Sequence, residues 1–256
     1  MNRLFCLFAV ALCLAPLATT TKAAEPDTRV FEMRVYYAAE GKLDALNSRF
    51  RDHTVKLFEK HGIENVGYWE PLDNPERQLI YFLAYPSREA RDASWKAFFA
   101  DPDWQKAAKA SELNGKLVAK VESKFFKATD YSPAIKADAK GDRVFEMRTY
   151  TASSGNLKAL ESRFRDHTVK LFERHGINNI AYWTLMDDQE GADSNLTYIV
   201  AHKSQEAAKE SFANFGKDPE WQTARKASEE AAGGSLTVTR GVKSLFMKAT
   251  DYSPIK

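Results

Sequence analysis

From Val30 the chain alternates. Phe31, Met33, Val35 and Tyr37 fall on one side and Glu32, Arg34 and Tyr36 on the other, which is the two-residue period of a β-strand. Gly41 breaks the pattern and the spacing widens. Leu43, Leu46, Phe50, Leu57 and Phe58 recur at helical intervals opposite Arg51, Asp52, Lys56 and Glu59, which predicts one amphipathic helix ended by His61-Gly62. Residues 63 to 69 and 78 to 85 read as strands across a Pro71 to Pro75 turn. Ser87 caps a second helix, and Asp101-Pro102 opens a further helical turn with aspartate at the cap and proline in first position. Leu117, Ala119, Val121 and Phe125 mark a last strand. The order is βαββαβ, the ferredoxin-like pattern.

The same pattern then runs a second time. Arg29 to Tyr36 recurs as Arg143 to Tyr150, and Ser48 to Ile63 recurs as Ser162 to Ile177 with one change, Lys60 to Arg174. Asp101-Pro-Asp-Trp-Gln105 recurs as Asp218-Pro-Glu-Trp-Gln222, and Lys127 to Pro133 as Lys248 to Pro254. Such self-similarity marks a tandem duplication. The expected domains are residues 29–131 and 143–254, joined by a polar linker over 132–142. Small insertions in the second copy fall around Asp188 to Ser194 and near Gly233-Gly234. Four strands with both helices on one face leave the other face bare, so the two copies are expected to cover each other, sheet to sheet, as an intramolecular dimer.

Residues 1–24 read as a cleavable signal peptide: Arg3, then an almost wholly apolar run from Leu4 to Leu17, then small residues at Ala23-Ala24. The run is too short to span a membrane. The chain is therefore expected to be secreted or periplasmic, with no membrane span once the leader is removed. Cleavage also removes both cysteines, and with them any disulfide, thiolate nucleophile or thiolate metal site. It leaves 35 basic against 35 acidic residues, a balance that argues against nucleic acid as a partner.

Four features together carry a family resemblance. They are Phe-Glu-Met-Arg-x-Tyr on the first strand, Arg51-x-His53 followed by His61-Gly62 on the helix, Tyr68-Trp69 on the next strand, and the Asp-Pro-x-Trp-Gln turn. Their order resembles the NIPSNAP family, over nearly the whole chain after the leader and twice. The resemblance implies the dimeric α+β barrel fold. It implies no single activity: NIPSNAP proteins proper are associated with mitochondria and protein interaction, while cousins in the superfamily include cofactor-free monooxygenases and haem-binding enzymes. The leader and the duplication depart from the eukaryotic members, so mitochondrial roles do not carry over.

Similarity between the copies is uneven. Arg29 to Pro71 matches at 30 of 43 positions, but Arg77 to Ala100 at only 8 of 24, so the first strand and helix are held more tightly. The candidate ligand-binding residues come from there: Glu32, Arg34, Tyr36, His53 and Trp69, with Glu146, Arg148, Tyr150, His167 and Trp183. If the apolar strand face meets the helices, the Glu32–Arg34–Tyr36 face lines the space between the sheets. It would then be an anion- or carbonyl-binding lumen, or an ion-pair network that fixes how the copies dock. His53 is expected on the inner edge of its helix, as a general base beside a pocket or as a histidine bonded to backbone. His53 and His61 are eight residues apart, about 12 Å along a helix, too far to share an ion, so no metal and no cofactor is expected. No phosphate loop, nucleophile elbow or paired-carboxylate signature is visible. The expected function is binding of a small apolar or anionic ligand or of a protein partner, with further homo-oligomerisation left open. A cofactor-free oxygenase or isomerase is the alternative, and haem binding through a histidine is a third.

Overall fold

The computed structural model describes residues 27–256; the expected signal peptide lies outside them. The first copy contains β1 (Val30–Ala38), α1 (Leu43–Arg49), α2 (Val55–Lys60), β2 (Glu64–Pro71), β3 (Gln78–Tyr85), α3 (Arg88–Ala100), α4 (Pro102–Ser111) and β4 (Val118–Ala128). The second repeats it as β5 (Val144–Ala152), α5 (Leu157–Arg163), α6 (Val169–Arg174), β6 (Asn178–Leu185), β7 (Asn195–His202), α7 (Gln205–Lys217), α8 (Pro219–Ala231) and β8 (Thr237–Ala249). Ser87 and Ser204 cap α3 and α7, and Asp101 and Asp218 cap α4 and α8, each accepting a backbone N–H in the first turn.

Each copy forms an antiparallel sheet in the order β2-β3-β1-β4, and the two sheets join at both edges into one closed barrel. The seams are short. Trp69 to Pro71 of β2 pairs with Met247 to Ala249 of β8, and Phe126 to Ala128 of β4 pairs with Trp183 to Leu185 of β6. Closure removes the edges over that stretch and buries the inner faces of both sheets.

β3 and β7 lie under helices on one side and face the barrel interior on the other, so every residue after the first is buried. That explains why residues 78 to 85 show an apolar run rather than alternation. Phe31, Trp69, Phe82 and Phe126 meet Phe145, Trp183, Ile199 and Met247 in the interior, where Trp183 stacks on Phe82 at 4.5 Å. Two outer cores fill the space between sheet and helices: Phe50, Phe58, Tyr68, Tyr81 and Phe98 in one copy, Phe164, Phe172, Tyr182, Tyr198 and Phe215 in the other.

The repeated Thr-Asp-Tyr-Ser segment after each last strand crosses to the other copy. Thr129 N–H donates to Tyr182 O, Ser132 Oγ accepts from Tyr182 N–H, and Asp130 takes two hydrogen bonds from Arg165 at 2.7 and 2.6 Å. Thr250, Ser253 and Asp251 repeat this on Tyr68 and Arg51. Two reciprocal latches therefore hold the halves together.

The first helix is not continuous. A π-helical turn, Phe50–Thr54, separates α1 from α2, and Phe164–Thr168 does the same in the second copy. Thr54 Oγ1 donates to Arg49 O and Thr168 Oγ1 to Arg163 O, both at 3.1 Å, so a buried hydroxyl satisfies a carbonyl in the widened turn.

Candidate functional site

The expected orientation of the first strand is reversed. Phe31, Met33 and Val35 face the barrel interior, and Glu32, Arg34 and Tyr36 face the helices. The reason is aromatic volume: Trp69 and Trp183 point inward, and only an apolar strand face can pack on them. The ion-pair network therefore lies within each copy, reaching a helix through Arg91 in the first, and does not set how the copies dock.

Glu32 is fully buried and its carboxylate is saturated. It accepts from Arg34 Nη1 at 2.6 Å, from Arg91 Nε and Nη2 at 2.9 and 2.8 Å, from Ser123 Oγ at 2.8 Å and from Tyr85 Oη at 3.1 Å. Burial pushes the carboxyl up, but the Arg91 hydrogen bonds, the charges of Arg34 and Arg91 and the Ser123 hydroxyl outweigh it and hold Glu32 at about 2. Arg34 also donates from Nε to Tyr81 at 3.0 Å and from Nη2 to Tyr36 at 3.4 Å, and its guanidinium lies over the Trp95 ring. Burial pushes the Tyr81 phenol well up. Neither Glu32 nor Tyr81 is placed to take a proton at neutral pH.

In the second copy Glu146 binds Arg148 and Ser244 in the same way, and His202 Nε2 stands 3.2 Å from it where Tyr85 stands in the first. Ala208 occupies the place of Arg91. The result is a sparser network: Arg148 Nε and His202 Nδ1 are buried with no partner among the described residues. His202 is thus part of this cluster. Its signal was available, because Tyr85 and Arg91 change together to His202 and Ala208.

Trp69 and Trp183 are fully buried in the barrel interior, each against the other copy's first strand: Trp69 on Phe145 at 5.7 Å and Trp183 on Phe31 at 5.9 Å. They are core residues of the joined barrel.

His53 and His167 do not face the sheet. The extra residue of the π-helical turn rotates the helix, so Thr54 takes the inward place and His53 points out. Both histidines line open grooves between the first helix and the helix after the Asp-Pro cap. The groove of the first copy, about 670 Å³, is lined by Asp52, His53, Lys56, Asp103, Ala107 and Ala110 among others. That of the second, about 830 Å³, is lined by Asp166, His167, Glu220, Ala224 and Ala227 at the matching positions. His61 and His175 lie at the far end, each 2.7 Å from the capping aspartate of the facing helix, Asp101 or Asp218. The His175 hydrogen bond draws Asp218 down to about 2 against its partial burial. The groove walls are thereby pinned at one end.

The family model described as NIPSNAP matches residues 31–133 and 145–254, which takes in both copies. The chain belongs to the NIPSNAP family. No curated protein matches it. Among solved structures, a NIPSNAP family protein of unknown function from Agrobacterium tumefaciens is 24% identical, covers 41% of this chain and 92% of its own, with a TM-score of 0.37. Longer matches come from proteins provisionally named monooxygenases. That of Lactobacillus acidophilus is 12% identical and covers 89% of this chain and 98% of its own at a TM-score of 0.53; that of Fusobacterium nucleatum is 10% identical and covers 87% and 92% at 0.55. These longer matches show that the duplicated NIPSNAP chain has the dimeric α+β barrel fold.

Proposed function

We propose that this NIPSNAP protein is exported and acts by binding a small amphiphilic ligand in its two helical grooves. One observation carries the reading. The grooves open at matching places in the two copies and present the same Asp-His pair, Asp52-His53 and Asp166-His167, over a floor of alanines. The exposed Arg51 and Arg165, also identical in the copies, have their reason in the latches. For His53 and His167 the groove is the reason available. The polar strand face is ill suited to be the site, because Glu32 and Arg34 already answer one another. Apolar floor with a few polar groups on the rim is the usual make-up of a small-molecule site. The leader-like pattern of residues 1–24 supports the export part of the reading.

The test is to fill the grooves. Ala110→Trp with Ala227→Trp changes two exposed positions. A ligand-observed NMR screen with short-chain aromatic carboxylates should find binders of the parent chain that the filled chain loses at unchanged melting temperature. Retention of those binders by the filled chain would sink the proposal.

A second reading, a cofactor-free oxygenase or isomerase, is favoured by one feature: the buried His202 Nδ1 and Arg148 Nε of the second copy, which have no partner among the described residues. It predicts oxygen uptake or isomerisation with a hydroxylated aromatic substrate that is abolished by His202→Phe and untouched by groove filling.

A further inference from the structure

The short seams leave part of β4 and part of β8 with no neighbouring strand on the outer side among the described residues, and the two copies treat that edge differently. In β4 the free edge begins at Phe125. Met186 N–H donates to the Phe125 carbonyl at 2.9 Å, and the Phe125 N–H donates to Gln189 Oε1 at 3.1 Å. Gln189 belongs to the long loop 186–194, which is tied down by Asp187 on Lys127 at 2.8 Å and Asp188 on Arg88 at 3.2 Å. This acidic strap caps the edge where pairing stops. Further along, Lys120 pairs with Glu122 at 2.5 Å.

β8 has the same seam and no such cap. The corresponding loop is the shorter 72–77. Leu72 N–H donates to the Phe246 carbonyl at 2.9 Å, as Met186 does to Phe125, but the Phe246 N–H has no acceptor among the described residues. In an antiparallel ladder the N–H and C=O of one residue point the same way, and those of the next residue point back. The Phe246 carbonyl is turned outward, so the main-chain groups of Ser244 and Val242 are turned outward too. A bulge ends the stretch: Arg240 has a φ of 59°, and the register against β5 shifts between Tyr150 and Ala152. Over 242–246 the edge therefore offers main-chain donors and acceptors at alternate residues.

The side chains along it narrow what can lie there. Val242 is 40% exposed and sits opposite Tyr150, on the helix-facing side of the sheet. Lys243 is exposed and sits opposite Thr149, on the other side. Residues 237–246 contain Arg240 and Lys243 and no carboxylate, and the adjoining 147–152 of β5 contain none either. Asp73 follows Leu72 at the seam end. An open edge takes up an added strand, in which main-chain hydrogen bonds give affinity and alternate side chains give selectivity. A second copy's β8 suits this edge poorly, because it would bring Arg240 and Lys243 of one chain to the same cations of the other.

We propose that the edge of β8 over 242–246 binds an extended acidic segment of another protein as an added strand, with apolar side chains beside Val242 alternating with acidic ones beside Lys243. The surface lies apart from the helical grooves and does not depend on them.

The probe is a fluorescein-labelled, end-blocked peptide, Thr-Val-Glu-Val-Glu-Val-Thr, read by anisotropy on the chain without residues 1–24. The same peptide with Lys for Glu is the comparison. The parent chain should bind the glutamate peptide about tenfold or more tighter than the lysine peptide. Amide hydrogen exchange at Val242, Ser244 and Phe246 should slow in the complex. Val242→Pro removes an outward donor and leaves the β5 ladder alone, so it should weaken binding about tenfold or more at unchanged melting temperature. Val121→Pro, the same change on β4, should leave binding as it was. Lys243→Glu alters no main-chain group and should turn the preference toward the lysine peptide, which keeps the test open should the proline chain not fold. The proposal is overturned if the parent binds neither peptide or both alike, if a folded Val242→Pro chain binds as the parent does, or if Lys243→Glu leaves the preference unchanged. A parent dimer in sedimentation that Val242→Pro turns into a monomer would also overturn it, by giving the edge to a second copy.

Discussion

Arg91 reaches Glu32 through a two-pronged contact, Nε at 2.9 Å and Nη2 at 2.8 Å, that has no counterpart in the second copy, where Ala208 stands instead. The first copy thus joins α3 to β1 by a buried charge pair, and the second joins α7 to β5 by the Arg148 guanidinium lying over the Phe212 ring at 4.6 Å. Removing one member of a buried pair leaves the other's charge uncompensated. Arg34, Ser123 and Tyr85 would still hold Glu32, so Arg91→Ala should cost about 2–3 kcal/mol, the lower part of the range for such truncations. Urea unfolding measures it; a loss below about 0.5 kcal/mol, typical of surface changes, would show that the contact is incidental.

Acid should release the same joint. Glu32 is held at about 2 against an ordinary 4.5, so its contribution is fully present above the ordinary value and is lost as pH falls from there toward 2. Glu146 is also lowered, with burial opposed by His202, Arg148 and Ser244. Unfolding free energy should therefore drop steeply between about pH 4.5 and pH 2. Glu32→Gln with Glu146→Gln should start lower but fall less steeply across that window. Parallel curves for the two proteins would mean that other carboxylates govern acid unfolding.

Gly67 lies beneath the Trp69 ring, and a Cβ placed there would collide with the outer carbons of the indole. The second copy has Ala181 at this place, and its Trp183 lies flat on Phe82 instead. Gly67→Ala should force Trp69 from its rotamer and cost about 1–3 kcal/mol as overpacking does. Intrinsic tryptophan fluorescence should shift with it. Ala181→Gly should cost less, about 1 kcal/mol, through backbone entropy in a strand.

The βαββαβ order, its duplication and the pairing of two copies were legible because each rests on local periodicity or on repeated text. Two kinds of information were not. Which strand face points inward depends on the partner sheet, and only the inward Trp69 and Trp183 reveal that Phe31 rather than Glu32 faces the interior. The place of His53 depends on a π-helical turn, whose single extra residue leaves the apolar spacing of Leu46, Phe50, Leu57 and Phe58 readable as an unbroken helix. The Thr54 hydroxyl that supports the turn carries no distinctive sequence signal.

Each seam of the barrel pairs only three residues of each strand. β4 pairs with β1 along its length but meets β6 only at Phe126 to Ala128, so 118–124 is an edge without a neighbouring strand on that side among the described residues. Gln189 caps the Phe125 N–H at 3.1 Å where pairing stops. Lys120, Glu122 and Lys124 are exposed along that edge beside Val121. Charged side chains of this kind discourage strand-to-strand association. Lys120→Val with Lys124→Val should raise light scattering on incubation at unchanged secondary structure; a clear solution would locate the protection elsewhere.

The two halves should behave as subunits of one assembly. Each buries its inner face against the other, Trp183 on Phe31 and Trp69 on Phe145, so an isolated half would expose a large aromatic surface. The latches are a smaller matter. Arg165 and Asp130 are each more than a third exposed, which limits Asp130→Ala to about 1 kcal/mol or less. Trp183→Ala should cost about 3–5 kcal/mol, as large-to-small changes in a core do. Cutting at a protease site placed within 136–142 should therefore leave the halves together on size exclusion. Separated in urea and mixed on refolding, they should recombine in a one-to-one complex, while either half alone forms a homodimer or aggregates. Two stable soluble monomers would overturn the intramolecular-dimer account of the fold.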